Sequence, residues 1–210
     1  FENTSASDQT YLRLYTYYGD YDTLTAPING TLSENYDAIV VRPTDYKYEV
    51  AMSKRQGRRT WNKFGYNADV DTASAEIIGA QGGTFSIMTT ADTLDVVSSS
   101  TSDTLLSATG ANTILIEGID EDNLYQFEIV ELNGTTAVTT TNQWLGVNRV
   151  VVYSCGTNES NVGNITIDDT AGTVGTQAYL PLGESVTQQC IFHTQINHNF
   201  LVDWLFINTL

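Results

Sequence analysis

Residues 113–141, TILIEGIDEDNLYQFEIVELNGTTAVTTT, constrain this chain more than any other stretch. Apolar and polar residues alternate over short runs broken by turn residues, which is the period of a half-buried antiparallel strand and not that of a helix. Asn133-Gly134 separates two such runs, and a type I′ turn needs positive φ at both central positions, which these residue types tolerate. A hairpin closed there pairs Leu132 with Thr135, Ile129 with Val138 and Phe127 with Thr140. A second turn over residues 120–123 then sets Ile129 beside Ile114 and Phe127 beside Ile116. The expected core face is Ile114, Ile116, Tyr125, Phe127, Ile129 and Val138, and the expected water face is Glu117, Gln126, Glu128, Thr139 and Thr141.

Beyond residue 61 the turn signals recur at ~8–12 residue spacing with almost no helical periodicity. Gly82-Gly83 precedes TFSIM, residues 98–103 follow TLDVV, Gly110 opens the central meander, and residues 156–158 close a long strand over 144–155. NITID, QAYLPL, VTQQCIFHT and NFLVDWLFIN come after it. The pattern predicts an all-β fold, an antiparallel β-sandwich or jelly roll over residues 61–210. Residues 1–60 read as an extended, Tyr-rich N-terminal arm that holds eight of the twelve tyrosines. Short strands are expected there at 11–17, 38–42 and 46–52, and one short helix around 51–56, ended by Gly57. The tyrosines, Tyr15, Tyr17 and Tyr18 among them, suit either docking on a neighbouring subunit or packing within their own sheet, since Tyr buries area and keeps a polar tip.

A chain of 210 residues with 41% hydrophobic content buries a proper core, as one β domain or two smaller ones. The 25 acidic residues against 9 basic ones give a formal charge of -16, a field that opposes nucleic acid and anionic lipid. No run approaches the ~20 apolar residues that span a bilayer. The chain carries no basic-then-apolar leader pattern and starts at Phe1, which fits a processed or truncated N-terminus. Five of the nine basic residues, Lys54, Arg55, Arg58, Arg59 and Lys63, sit in one segment interleaved with Trp61, Phe64 and Tyr66. Cations beside aromatics are what single-stranded nucleic acid requires. In so acidic a chain, pairing with an acidic protein surface is the favoured reading, ahead of a solvated loop, with nucleic acid last.

Chemistry-bearing patterns are sparse. His193 and His198 are the only histidines; a catalytic triad or a zinc site needs an imidazole held by a second group and joined by a nucleophile or further ligands, and each histidine reads as structural, while a Cys155–His193 thiol pair has no local support. Cys155 and Cys190 lie in strand-like runs and read as two buried thiols or one inter-strand bridge. Oxygen-rich turns at Asp69/Asp71, Asp120–Asn123 and Asp168-Asp169 are the places for Ca²⁺, with 120–123 the first choice, but none has the EF-hand spacing and solvated turns are the favoured reading. Gly79 to Gly83 lacks the lysine and helix of a phosphate loop. Five Asn-x-Ser/Thr sites, at Asn3, Asn29, Asn133, Asn158 and Asn164, match what a Thr- and Asn-rich chain produces by chance.

The runs WNKFGYNADVDTASAEIIGAQGGTF, SATGANTILIEGID, IVELNGTTAVTTTNQWLGVNRV and NVGNITI together resemble β-rich virion structural proteins of tailed bacteriophages. The resemblance covers roughly residues 61–207 and leaves out the Tyr-rich arm. It implies a virion component without fixing its station; the reading drawn from it and from the composition is a non-enzymatic capsid-associated or decoration subunit, located in the virion, that works as a homo-oligomer beside other virion proteins, with no cofactor beyond the Ca²⁺ turns above, no membrane and no direct nucleic-acid contact. The expected interface is Tyr15, Tyr17, Tyr18, Lys54, Arg55, Arg58, Arg59, Trp61 and Lys63. The rival reading is a tail or fibre module that stacks host glycans on Trp61, Trp144 or Trp204. A jelly-roll polysaccharide-degrading enzyme, with two facing carboxylates in a cleft, ranks third.

Overall fold

A computed structural model describes residues 14–15, 39–40, 46–54, 60–70 and 74–199. The chain divides into two compact units, Phe1–Asn62 and Lys63–Leu210. In the first, β1 (Leu14–Tyr15) and β2 (Ile39–Val40) pair in parallel, and α1 spans Tyr46–Ala51. The strand expected at 46–52 is therefore a helix, and the helix expected at 51–56 lies one turn earlier. Tyr46 and Val50 stand four apart in YKYEVA, so the segment carries a helical period as well as a strand-like alternation, and Glu49 falls in the first turn where the helix dipole favours an anion.

The second unit is an all-β sandwich of two antiparallel sheets. Its strands are β3 (Leu94–Ser98), β4 (Ala111–Ile119), β5 (Tyr125–Glu131), β6 (Val138–Thr139), β7 (Gly146–Cys155), β8 (Ile165–Asp169) and β9 (Thr176–Leu180). They form sheets of order β6-β3-β8-β9 and β5-β4-β7. Alternate residues point inward from both layers: Leu94 and Val96 from β3, Ile114 and Ile116 from β4, Val150 from β7, Ile165 and Ile167 from β8, and Ala178 and Leu180 from β9. Trp144, fully buried, fills the space beside them.

Two expectations about the central meander are corrected. Asn133-Gly134 does turn, with Gly134 at φ 60 and the Thr136 amide donating to the Asn133 carbonyl, but it does not close a hairpin. β5 stays in the three-stranded sheet while β6 crosses to pair with β3, Val138 against Val96. The register of β4 on β5 is also one residue from that expected: Ile114 faces Val130 and Leu115 faces Ile129. A one-residue slip exchanges the faces. Val130 is buried, while Phe127 and Ile129 point to the outer face, 59% and 44% exposed. The turn over 120–123 forms as expected, with Asn123 at φ 57.

The edges of the three-stranded sheet differ. Along β7, Val152 donates to the Ser185 carbonyl, Thr187 donates to the Val150 carbonyl, and Val151 bridges Val186, so residues 185–187 cover that edge. Among the described residues, β5 forms the opposite edge.

Candidate functional site

Polar side chains converge where the far end of β4 meets the start of β7. Glu117 pairs with Arg149 and Gly118 with Val147, which leaves Asn148 as the extra residue of a β-bulge. Gly118 is required there: a Cβ would sit 2.1 Å from the Gly146 carbonyl oxygen. The bulge turns Asn148 inward, buried, where its amide replaces a strand partner: Nδ2 donates to the His193 carbonyl at 2.9 Å and the His193 amide donates to Oδ1 at 2.5 Å. The Asn148 carbonyl in turn accepts from Lys63 Nζ. Beside this, Glu117 accepts from Tyr125 Oη at 2.6 Å and from Arg149 Nε at 2.6 Å, and forms an ion pair with the same guanidinium.

Burial, with Arg149 also nearby, lowers the Lys63 ammonium to about 8 against the opposing pull of Cys190 and Glu117. Burial likewise depresses His193, helped by the Lys63 charge, and His193 Nδ1 has no hydrogen-bond partner. The corner therefore holds an amine that sheds its proton near pH 8 and an imidazole whose protonation burial opposes. Its donors and acceptors are spent on holding residues 63 and 193 against the sheet.

Other carboxylates serve the backbone. Asp103, fully buried, accepts from Ser98 Oγ (2.6 Å), Ala111 N (2.8 Å), Val162 N (2.9 Å) and Gly163 N (2.8 Å), joining β3, β4 and the approach to β8. Asp169 closes the β8–β9 turn. Burial works to raise its carboxyl, but the Thr173 N–H and O–H with the Val174 and Gly175 N–H groups more than offset that and hold it below the ordinary range. Asp120 Oδ1 accepts from the amides of Asp122 and Leu124, the turn chemistry of an Asx motif. Asp92 accepts from Thr93 N and Ala171 N at the rim of a recess of about 460 Å³ that Asp169 and Met88 also line. Among the described residues no three His, Cys, Asp or Glu groups converge to hold a metal ion, and no helix is long and apolar enough to cross a membrane.

Of the expected interface residues, Lys54 is exposed and Trp61 half-buried. Lys63 is half-buried and bonded within its own chain, which takes it out of the exposed strip. Tyr15 lies in β1; Tyr17, Tyr18, Arg55, Arg58 and Arg59 fall outside the described residues, as does Trp204. Trp144 is core, so it presents no stacking surface. Cys155 and Cys190 are both free and exposed, contrary to a bridge or two buried thiols. His198 is exposed with Nδ1 2.9 Å from the Ile196 carbonyl. Asp103 and Asn148, the residues that organise the two polar clusters, went unmarked in the sequence. A single acid in a Ser/Thr loop and a single Asn within a strand carry no local signature.

Comparison with known proteins finds no match among family models, curated proteins or solved structures.

Proposed function

We propose that this protein is a non-enzymatic structural subunit of a virion, capsid-associated or decorating it, which acts by docking on copies of itself and on other virion proteins. The observation that carries the docking is the segregation of charge. Of the nine basic residues only Arg149 lies beyond Lys63, against 17 of the 25 acidic ones. A sandwich of that composition repels its own kind and attracts a cationic segment, and the chain supplies one in residues 54–59. Such a pairing of unlike surfaces from different copies repeats one contact set around a symmetric assembly. The sequence resemblance to bacteriophage virion proteins supplies the setting.

The test is charge reversal. Arg58→Glu with Arg59→Glu weakens assembly, read by sedimentation, and the deficit against the unaltered chain shrinks as salt rises because screening removes the attraction from both. Assembly unchanged at low salt rejects the strip as the docking element.

A further inference from the structure

We propose that Lys63 and Asn148 join covalently: the Lys63 amine attacks the side-chain amide carbon of Asn148, ammonia leaves, and an amide bond ties residue 63 to β7. The inference is independent of the virion reading. It rests on the groups gathered at the bulge in β7. Lys63 Nζ donates to the main-chain carbonyl of Asn148, so the amine is already held on the residue it attacks. Rotation about the terminal bonds of its flexible stem carries it from the main-chain carbonyl to the side-chain one.

The Asn148 amide is fixed to receive that attack. It is buried, and the main chain of His193 holds both polar atoms of the side chain: the His193 amide donates to Oδ1 at 2.5 Å, and Nδ2 donates to the His193 carbonyl at 2.9 Å. The first of these bonds meets the negative charge that gathers on Oδ1 as the new bond forms. Burial, which lowers Lys63 to about 8, supplies the neutral amine that a solvated lysine lacks near neutrality. Glu117 and the His193 imidazole lie close enough for their charges and that of Lys63 to act on one another, and Cys190 and Arg149 stand within the same range. Tyr125 and Arg149 hold the Glu117 carboxylate in place.

The step balances within these groups. The Nζ–Cγ bond forms as the Cγ–Nδ2 bond breaks; Glu117 takes a proton from Nζ and passes it to Nδ2, which departs as ammonia, and no oxidant or cofactor is consumed. The titrating Lys63 ammonium belongs to the chain before closure. Closure links positions 85 residues apart and restricts the unfolded chain as a disulfide does.

Intact-mass measurement of the full chain after incubation near pH 8, where the amine is half neutral, tests this. The expected mass lies about 17 Da below that of the sequence, the loss of one ammonia, and a tryptic digest yields a branched peptide joining residue 63 to residue 148. Lys63→Arg keeps a donor for the Asn148 carbonyl and shows no deficit, and Asn148→Ala shows none either. Glu117→Gln slows the appearance of the deficit at least tenfold, and an unchanged rate removes Glu117 as the proton carrier. A mass equal to that of the sequence overturns the proposal. So does a deficit that survives Lys63→Arg, because ring closure at Asn29 or Asn133, each followed by Gly, then accounts for the lost ammonia. The branched peptide is sought in the unaltered chain, so its absence overturns the proposal even where a variant fails to fold.

Discussion

At the start of β4 an anion is buried, and at its far end a cation is half-buried, and the two are treated differently. Asp103 is surrounded by four donors drawn from both sheets, so its charge is met on every side and the loops around it are pinned. Lys63 gives up water for the Asn148 carbonyl, with Glu117 and Cys190 on one side of the balance and burial and Arg149 on the other. A buried carboxylate met by four donors is a structural rivet, whereas the half-buried Lys63 ammonium, with burial and Arg149 against it, leaves its cost visible as a displaced titration. One end of β4 thus fixes the sandwich, and the other attaches the chain entering at residue 63 by a bond that responds to pH.

The largest effect expected from breaking this contrast is at Asp103. Asp103→Ala strands four donors and costs about 3–5 kcal/mol in urea unfolding. Asp103→Asn, which presents N–H to at least one of those donors, falls between that and the native protein. A loss under about 1 kcal/mol for Asp103→Ala would mean that water replaces the carboxylate and that the rivet is not one.

Next in size is the pH dependence at Lys63. The folded state sheds this proton near pH 8, whereas the unfolded lysine keeps it to its usual 10.5. Between those values the unfolded chain binds more protons, so stability rises with pH across the window, by about 1–2 kcal/mol; below pH 8 both states hold the proton and the burial cost is fully present. Lys63→Met flattens that slope in pH-dependent unfolding, and a slope that survives the substitution assigns it to another group. His193 acts on the acid side: neutral in the fold and protonated when unfolded below its usual 6.5, it lowers stability as pH falls through that range. His193→Gln removes this contribution. The smallest effect is at the cysteines, where Cys155→Ser and Cys190→Ser each shift stability by no more than about 0.5 kcal/mol, and both thiols react with a thiol reagent in the native state.

The layered β architecture was legible because alternation survives any register: LDVVS buries every second residue and ANTILIEGI buries Ile114 and Ile116 on either side of the half-buried Leu115, whichever partner they take. The turn over 120–123 was legible because Asp and Asn satisfy its backbone locally. The partner of a strand is another matter. Asn133-Gly134 states that the chain reverses, and nothing in those two residues says whether the next strand stays in the sheet or crosses to the other. FEIVE offers both Ile129 and Val130 to the core, and only the position of Ile114 opposite Val130 decides between them. The polar clusters were illegible for a related reason. Asp103 meets Gly163 across 60 residues and Lys63 meets Asn148 across 85, so neither pairing leaves a pattern within a short window.

The proposal that this chain is a virion subunit held by its neighbours is tested most directly by imaging native particles at a resolution that traces the chain. The expected image shows the sandwich repeated at symmetry-related positions, its acidic surface against the basic segment of the next copy. A particle that lacks the chain, or a chain that works as a solitary unit turning over a substrate, contradicts it.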